Sequence, residues 1–258
     1  GSDSGGGAGI QADLKTFAAL GVHGLCAITA VTSQNTRGVR AIHPVPPGHL
    51  RAQLDALFAD FPVAAVKTGM LGQAGTVRRV ARELARRKPP WLVLDPVMVA
   101  TSGARLLDRA ALRVLRDELV PLADVLTPNL PEAEVLLGAR IRSVRDAARA
   151  AQALRGLGAD AVLLKGGHAR GGELVDCFCD ERGCVEFRHP RLGLRAHGTG
   201  CTLSAALAAE LARGATPRRA ARRAIAFVQR ALRRGYRAGG GELLLLGHGP
   251  AFGRRLPR

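Results

Sequence analysis

Short aliphatic runs alternate with helical segments through most of this chain of 258 residues. We predict strands at residues 25–32, 63–67, 91–94, 124–126 and 161–164 and a β-hairpin at 173–188. We predict helices at residues 10–20, 49–58, 76–87, 109–119, 144–157, 200–213 and 217–235. Strands that are connected through helices form a parallel sheet with helices on both faces. The alternation therefore predicts an α/β fold around a mostly parallel central sheet.

The length and apolar content of the chain are sufficient for one large core. Hydrophobic residues make up 47% of the sequence, which is ordinary for a single α/β domain of this size. We therefore expect residues 1–258 to form one domain. Because the chain opens on a glycine-rich loop at residues 1–9, we expect a first strand to lie before Gly1. The glycine-rich tail, residues 239–258, is expected to be loosely held.

The net charge is +17, and almost all of the positive charge comes from arginine, since the chain has only four lysines. A strongly basic chain raises the alternative of a nucleic-acid-binding protein. Aromatic residues amount to only 3%, which leaves few side chains for base stacking. Arginine pairs such as Arg78-Arg79 and Arg222-Arg223 are spread over predicted helix faces. We expect no specific nucleic-acid partner.

No apolar run approaches the roughly 20 residues that a membrane-spanning helix needs, and no signal-peptide pattern opens the chain. The five cysteines are an odd number without zinc-type spacing, which also favours a cytoplasmic protein. Cys177, Cys179 and Cys184 have the chemistry of metal ligands, but the alternation at residues 174–179 favours a strand with cysteines on one face. We therefore expect a cytoplasmic protein with no membrane contact.

The most informative stretch is residues 197–206, His-Gly-Thr-Gly-Cys-Thr-Leu-Ser-Ala-Ala. Gly198 and Gly200 flank Thr199, and Cys201 opens a predicted helix. Glycines allow the backbone to approach a ligand closely, and the free N–H groups of a first helical turn attract anions. At a helix start, the pKa of the Cys201 thiol is expected to fall. These features predict a phosphate cradle beside a proton acceptor; the alternative is a glycine-rich turn before a core helix with a buried cysteine.

Several side chains with polar or flexible ends follow predicted strands, namely Gln34, Met70, Asp95, Asn129, Glu132 and Lys165. In parallel α/β sheets, ligands bind beyond the carboxyl ends of the strands. Each of these residues taken singly is typical of a turn or a helix cap. Their shared edge predicts a common site. The carboxylates of Asp95 and Glu132, with Lys165 and the cradle, suggest phosphoryl transfer with Mg²⁺ held by oxygen ligands.

Seven motifs carry a family resemblance, at residues 1–16, 34–36, 67–71, 95–99, 127–133, 165–168 and 197–206. Together they resemble the hydroxymethylpyrimidine/phosphomethylpyrimidine kinases of thiamine biosynthesis, which belong to the ribokinase-like superfamily. The resemblance implies a ribokinase-like three-layer sandwich with a small β flap, of which residues 39–43 form one arm. It implies phosphorylation by ATP of 4-amino-5-hydroxymethyl-2-methylpyrimidine and then of its monophosphate. It also implies Mg²⁺ as a cofactor and a homodimer.

The resemblance assigns roles to individual residues on the substrate side. Gln34 matches the glutamine that hydrogen-bonds the aminopyrimidine, and an amide has the donor and the acceptor that this edge requires. The other positions of the pyrimidine pocket are matched by Gly1, Asp13, Met70 and Val97.

The phosphate side is implied in the same way. Asn129 and Glu132 match an Asn-x-x-Glu element that organises Mg²⁺ and the nucleotide phosphates, with Asp95 close by. Gly198, Thr199 and Gly200 match the anion hole. Cys201 matches the catalytic base, and Lys165 matches a residue close to the phosphates.

A pyridoxal or pyridoxine kinase of the same superfamily is the nearest alternative, because some members with a Gly-Thr-Gly-Cys motif accept vitamin B6 alcohols. Only the pyrimidine kinase is expected to phosphorylate a phosphate. Residues 35–43 are our candidate for a mobile lid.

Overall fold

The computed structural model describes residues 1–100, 102–166 and 172–249. The strands are β1 Ala30–Asn35, β2 Gly38–Pro44, β3 Val66–Thr68, β4 Leu92–Leu94, β5 Val125–Leu126, β6 Ala161–Leu164, β7 Glu173–Asp180, β8 Gly183–Pro190, β9 Ala196–His197 and β10 Leu244–Leu245. The helices are α1 Gly9–Ala19, α2 Pro47–Asp60, α3 Ala74–Arg87, α4 Arg109–Val114, α5 Leu130–Leu137, α6 Val144–Arg155, α7 Thr199–Ala212 and α8 Pro217–Arg233.

Strands β3 to β8 form one six-stranded sheet, in which they lie in sequence order. Strands β3 to β6 run parallel, whereas β7 is antiparallel to β6 and β8 is antiparallel to β7. Strands β1 and β2 form a separate antiparallel hairpin, the β flap. The predicted mostly parallel sheet with a small flap is therefore confirmed.

Alternating side chains divide the sheet between two cores. Leu92 and Leu94 of β4 pack in a core with residues of α2 to α6, whereas Val93 packs in a second core with residues of α7 and α8. All three side chains are buried. Successive side chains of a strand point to opposite faces, so a strand that is covered on both sides must be apolar throughout. The result is the predicted three-layer sandwich.

Helix α8 shows where much of the arginine lies. Its buried positions are Ala220, Ala221, Ala224, Ile225, Phe227, Gln229 and Ala231. Its arginines point away from this face, and two of them pair with carboxylates: Arg223 with Glu210 at 2.7 Å, and Arg218 with Asp180. Among the described helices, none has the length and apolar character that crossing a bilayer requires.

The predicted buried strand at residues 25–32 is wrong, because the chain becomes a strand only at Ala30 and then pairs within the flap. The Gln53 side chain takes the place of a neighbouring strand. Its Oε1 accepts the Ile28 N–H at 2.8 Å, and its Nε2 donates to the Ile28 carbonyl at 3.1 Å. An α2 side chain therefore satisfies backbone groups that a sheet would otherwise pair.

Two helical regions also differ from the prediction. The helix predicted at residues 109–119 ends as α4 at Val114 and continues as a π-helical turn, Leu115–Leu119, and a 3₁₀ turn, Val120–Leu122. Helix α5 was not predicted.

The glycine-rich tail contacts the rest of the chain as far as residue 249. Strand β10 pairs in parallel with β9, and Leu245 and Leu246 are buried. The Gly241 N–H donates to Thr36 Oγ1 at 3.1 Å, and a Cβ at Gly241 would overlap the backbone of Thr36. Glycine here permits close packing rather than mobility. Residues 250–258 lie outside the described residues.

The cysteines of the hairpin lie on one face of β7 and β8, as predicted. Cys177 and Cys179 are buried, and Cys184 is directly opposite Cys179. Cys179 and Cys184 form a disulfide, and Cys177 Sγ lies 3.7 Å from Cys179 Sγ. The strand interpretation is therefore confirmed. The three sulfurs lie within 4.8 Å of one another.

Candidate active site

One cavity of about 1460 Å³ is lined by every residue for which the sequence predicts a site role. These lining residues are Gly1, Asp13, Gln34, Met70, Asp95, Val97, Asn129, Glu132, Lys165, Gly198, Thr199, Gly200 and Cys201. Six of the thirteen follow the carboxyl ends of parallel strands of the central sheet, where ligands of such sheets bind: Met70, Asp95, Val97, Asn129, Glu132 and Lys165. The fold therefore brings together residues from segments that are far apart in the chain.

The anion cradle is the first turn of α7, which begins at Thr199. Gly198 precedes it with φ of 84°, a left-handed conformation, and a Cβ there would overlap the Gly7 carbonyl. Only glycine fits this position. The first N–H groups of the helix have no partner within it and attract negative charge. A Cβ on Gly200 would lie 3.5 Å from Lys165 Nζ, so the cradle borders an ammonium group.

Lys165 forms a buried ion pair with Asp95, with 3.1 Å between Lys165 Nζ and Asp95 Oδ1. The other Asp95 oxygen accepts a hydrogen bond from Ser204 Oγ at 3.1 Å. The Lys165 backbone N–H donates to the Pro128 carbonyl at 2.9 Å, which continues the parallel pairing beyond β5 and β6. Burial opposes the charge, but Asp95 and Glu132 raise the pKa of Lys165 above its ordinary value.

Asn129 and Glu132 form a capping box at the start of α5. The Asn129 side chain accepts the Glu132 N–H at 2.9 Å, and Glu132 Oε2 accepts the Asn129 N–H at 2.8 Å. Burial raises the pKa of Glu132, and nearby Asp95 adds to the rise against the effect of Lys165. The Glu132 carboxylate keeps further lone pairs beyond this cap. Glu132 and Asp95 therefore offer the oxygen donors that Mg²⁺ prefers, with phosphates and water needed to complete its shell.

A second buried ion pair joins Asp13 of α1 to Lys67 of β3, with 2.7 Å between Asp13 Oδ1 and Lys67 Nζ. Burial opposes the Lys67 charge, but Asp13 and other acidic neighbours raise the pKa of Lys67 above its ordinary value. On the same side of the cavity, Gly1 lies against Met70, since a Cβ on Gly1 would be 3.1 Å from Met70 Sδ.

Cys201 lies in the first turn of α7 and is partly exposed to the cavity. Burial raises the pKa of its thiol above the ordinary value, and the carboxylates of Asp13 and Asp95 add to the rise against Lys67. The prediction of a lowered thiol pKa is therefore wrong. The sulfur nevertheless lines the same cavity as Gln34 and Glu132.

Gln34 contacts a buried histidine that the sequence did not single out. The Gln34 amide nitrogen lies 2.8 Å from His197 Nε2, which is also 2.9 Å from Asp3 Oδ2. Asp3 accepts the N–H groups of Gly5, Gly7 and Ala8 at 2.8 to 2.9 Å. Burial opposes ionisation, but the His197 and backbone hydrogen bonds hold the pKa of Asp3 below its ordinary value.

Sequence reasoning missed Asp3, Lys67, His197 and Ser204 as members of the site. Lys67 lies at the carboxyl end of a predicted strand, and Asp95 follows another, so the rule that ligands bind at strand ends could have identified Lys67 too. Asp3 stands before three glycines, a setting that is typical of an aspartate bonded to nearby backbone N–H groups. Together the site has an anion cradle, an ammonium group, two carboxylates and a thiol, which are the parts that phosphoryl transfer requires.

Comparisons with known proteins agree with this chemistry. The family whose model matches the chain is described as “Phosphomethylpyrimidine kinase”, and the match covers residues 3–245. A “Hydroxymethylpyrimidine/phosphomethylpyrimidine kinase” of Rhizobium meliloti is 53% identical over 83% of this chain and 81% of its own length. A “Thiamine biosynthesis bifunctional protein ThiED” of Geobacter sulfurreducens is 49% identical over 97% of this chain, which spans 50% of that relative.

Among solved structures, a Bacillus subtilis pyridoxal kinase in complex with ADP matches with a TM-score of 0.88 and 35% identity. The match covers 96% of this chain and 94% of that one. The predicted ribokinase-like fold is confirmed. The family match spans most of the chain, and so does the similarity to the relatives. The chain therefore belongs to the phosphomethylpyrimidine kinase family.

Proposed function

We propose that this protein transfers a phosphoryl group from ATP to the hydroxymethyl oxygen of 4-amino-5-hydroxymethyl-2-methylpyrimidine and then phosphorylates the monophosphate to the diphosphate. The observation that best supports this function is that the start of α7, Lys165 and Cys201 line the same cavity as Gln34 and Asp13. Groups suited to phosphates and groups suited to a heteroaromatic alcohol thus share one space. The Rhizobium meliloti relative has both activities in its name.

In the first step, the hydroxyl oxygen attacks the γ-phosphorus of ATP, and the bond from that phosphorus to ADP breaks. The N–H groups at the start of α7 and the Lys165 ammonium stabilise the charge on the phosphoryl oxygens. The Cys201 thiolate accepts the hydroxyl proton. Because burial raises the pKa of this thiol, the thiolate is a stronger base but is less populated near neutral pH. The first step should therefore become faster as the pH rises.

Glu132 and Asp95 would hold Mg²⁺, since both carboxylates line the cavity and offer the oxygen ligands that this ion prefers. Bound Mg²⁺ supplies positive charge to the nucleotide phosphates. The Asn129 amide holds the backbone of Glu132 in place through the capping box.

The two steps differ in their need for a base. A phosphate monoester is mostly ionised near neutral pH, with a second pKa of about 6, so its oxygen attacks without losing a proton. Cys201→Ala should slow the first step by about 10² to 10⁴-fold and the second by less than about 10-fold, with pyrimidine binding largely retained. Turnover of each acceptor, followed by phosphorus NMR, measures the two effects. Equal losses in both steps, or unchanged turnover, would contradict the base role.

The function itself is tested by ATP consumption with the hydroxymethylpyrimidine and by identification of the products. We expect the monophosphate to appear first and the diphosphate to follow. Pyridoxine should be measured beside it, because the Bacillus subtilis neighbour is a pyridoxal kinase. Turnover of pyridoxine without any diphosphate from the pyrimidine would favour the alternative function.

We also propose a cytoplasmic homodimer without a specific nucleic-acid partner. The flap has two edges outside the central sheet, and β2 is mostly exposed, which suits a contact between two copies. Light scattering in solution tests the dimer. Salt-sensitive DNA binding in the absence of ATP turnover would instead support the nucleic-acid alternative.

A further inference from the structure

Two polar side chains, those of Asp3 and Gln34, lie within hydrogen-bond distance of one atom beside the cavity, His197 Nε2. It lies 2.9 Å from Asp3 Oδ2 and 2.8 Å from the end of the Gln34 amide. An imidazole nitrogen has either a hydrogen or a lone pair, so it cannot donate to Asp3 and accept from Gln34 at once. Oxygen and nitrogen of a glutamine amide exchange places by a simple flip, and the hydrogen-bond network determines which orientation is stable.

The Asp3 carboxylate determines which nitrogen of the His197 ring carries the hydrogen. Its carboxylate is buried and accepts three backbone N–H groups, of Gly5, Gly7 and Ala8. An ionised carboxylate is an acceptor only, so His197 Nε2 must carry the hydrogen and donate it to Asp3. His197 Nδ1 is buried without a hydrogen-bond partner among the described residues. A second hydrogen there would be an unsatisfied buried donor, which favours the neutral ring with its hydrogen on Nε2.

The contact with Thr32, at the other end of the Gln34 amide, favours the same orientation of that amide. Its hydroxyl donates to the Ser2 carbonyl at 2.9 Å, and its Oγ1 lies 3.4 Å from the second polar atom of the Gln34 amide. The hydroxyl has no second hydrogen to give. The amide NH₂ group is therefore stable next to Thr32, where it donates. The amide oxygen is stable next to His197, where it shares the single Nε2 hydrogen with Asp3 Oδ2 in a bifurcated hydrogen bond.

We propose that Asp3 and His197 are positioning residues that hold the Gln34 amide with its oxygen toward His197. Among the described residues, one amide hydrogen then has no acceptor, and it is available to a ligand in the cavity. The site would select a heteroaromatic ring that presents an unprotonated ring nitrogen to Gln34. This inference rests on the proposed function, because that function places the pyrimidine ring beside Gln34.

The test compares two substitutions of one residue. His197→Leu removes the donor, whereas His197→Gln retains an N–H close to the position of Nε2. We expect His197→Leu to raise the KM for the hydroxymethylpyrimidine about 10-fold, with kcat and the KM for ATP changed less than about 2-fold. His197→Gln should recover most of the loss. In a Gln34→Ala background, His197→Leu should have almost no further effect, since its action passes through Gln34.

A merely structural role for His197 predicts other results, since this residue precedes the anion cradle. Loss of kcat or ATP affinity as large as the loss of pyrimidine affinity would overturn the proposal, and so would an undiminished effect in the Gln34→Ala background. Thermal unfolding of each variant is the control that tests whether it remains folded. If the wild-type protein binds the pyrimidine without phosphorylating it, the proposed function is wrong but the positioning proposal can still be tested. The same comparison of variants by calorimetric Kd for the pyrimidine then tests the positioning.

Discussion

Two lysine–aspartate pairs line the cavity that also contains the first turn of α7, and they expose groups of opposite charge to it. In the Lys67–Asp13 pair, the lysine side chain is 4% exposed and the aspartate 15%. In the Lys165–Asp95 pair, the lysine is 15% exposed and the aspartate 2%. The first pair thus presents a carboxylate and the second an ammonium group. The same two residue types therefore suit an acceptor hydroxyl on one side and phosphate oxygens on the other.

The difference comes from what each pair is anchored to. Asp95 is fixed by Ser204 within the central layer, so that its lysine partner reaches outward. Lys67 belongs to β3, and its partner Asp13 comes from α1 at the cavity wall. Cys201 is close enough to both pairs for the pKa of its thiol to respond to Lys67 and Asp13 of one pair and to Asp95 of the other. Each prediction below removes a member of one pair, or the Ser204 hydroxyl that donates to Asp95, and asks whether the two pairs have separate roles.

Among the substitutions at these pairs, the largest loss of kcat is expected for Lys165→Met. It removes the ammonium group beside the cradle, and kcat should fall by about 10² to 10³-fold, the usual cost of losing one donor to a transferring group. Steady-state kinetics with saturating pyrimidine measures this loss. Arg149→Met, at an exposed ion pair, is the matched control and should leave kcat unchanged. A loss confined to the pyrimidine KM would show that this pair does not act on the phosphate.

Asp13→Asn should affect the acceptor side instead. Loss of the carboxylate removes a charge-assisted hydrogen bond, so kcat/KM for the pyrimidine should fall about 30-fold while the KM for ATP changes less than about 2-fold. Kinetics with each substrate varied in turn separates the two. Asp60→Asn, at an exposed position, is the control. An equal rise in both KM values would contradict separate roles for the pairs.

Lys67→Met should change both stability and the Cys201 thiol. The substitution leaves Asp13 without its cation, and the free energy of unfolding should fall by about 3 kcal/mol. Because Lys67 lowers the pKa of the thiol, its removal should raise that pKa, whereas Asp13→Asn should lower it. The pH dependence of Cys201 alkylation, followed by mass spectrometry, measures both shifts. Shifts in the same direction would contradict the electrostatic explanation.

The smallest effect is expected for Ser204→Ala. It removes one hydrogen bond to Asp95, which should cost about 1 kcal/mol of unfolding free energy and lower kcat less than about 5-fold. Denaturant unfolding and kinetics measure the two changes. A kcat loss as large as that of Lys165→Met would mean that Asp95, rather than Lys165, carries the effect.

Local patterns were enough to predict the positions of most strands and helices. The runs at residues 91–94, 124–126 and 161–164 are apolar on both faces, and each became a strand of the central sheet, to within one residue at its start. The edge of the sheet that holds Asp95, Asn129 and Lys165 was predictable for the same reason. Polar residues that follow parallel strands must gather at one edge, whatever the details of packing.

The wrong predictions share a cause, which is a partner distant in the chain. Residues 25–29 have the composition of a buried strand, but Gln53 satisfies the backbone of Ile28. The contacts of the tail were equally hidden in the sequence, since its glycines allow the close approach to Thr36. The thiol pKa was predicted from its position in the helix, whereas burial and two aspartates determine it.

The amino-acid sequence determined the layers, the site edge and the anion cradle, because strand periodicity, strand ends and the glycines before α7 act over a few residues. Only the tertiary structure decided which charges meet. Lys67 pairs with Asp13 across 54 positions of the chain, and His197 meets Asp3 across 194. The strength and direction of such contacts depend on burial and distance, and neither is set by neighbours in sequence.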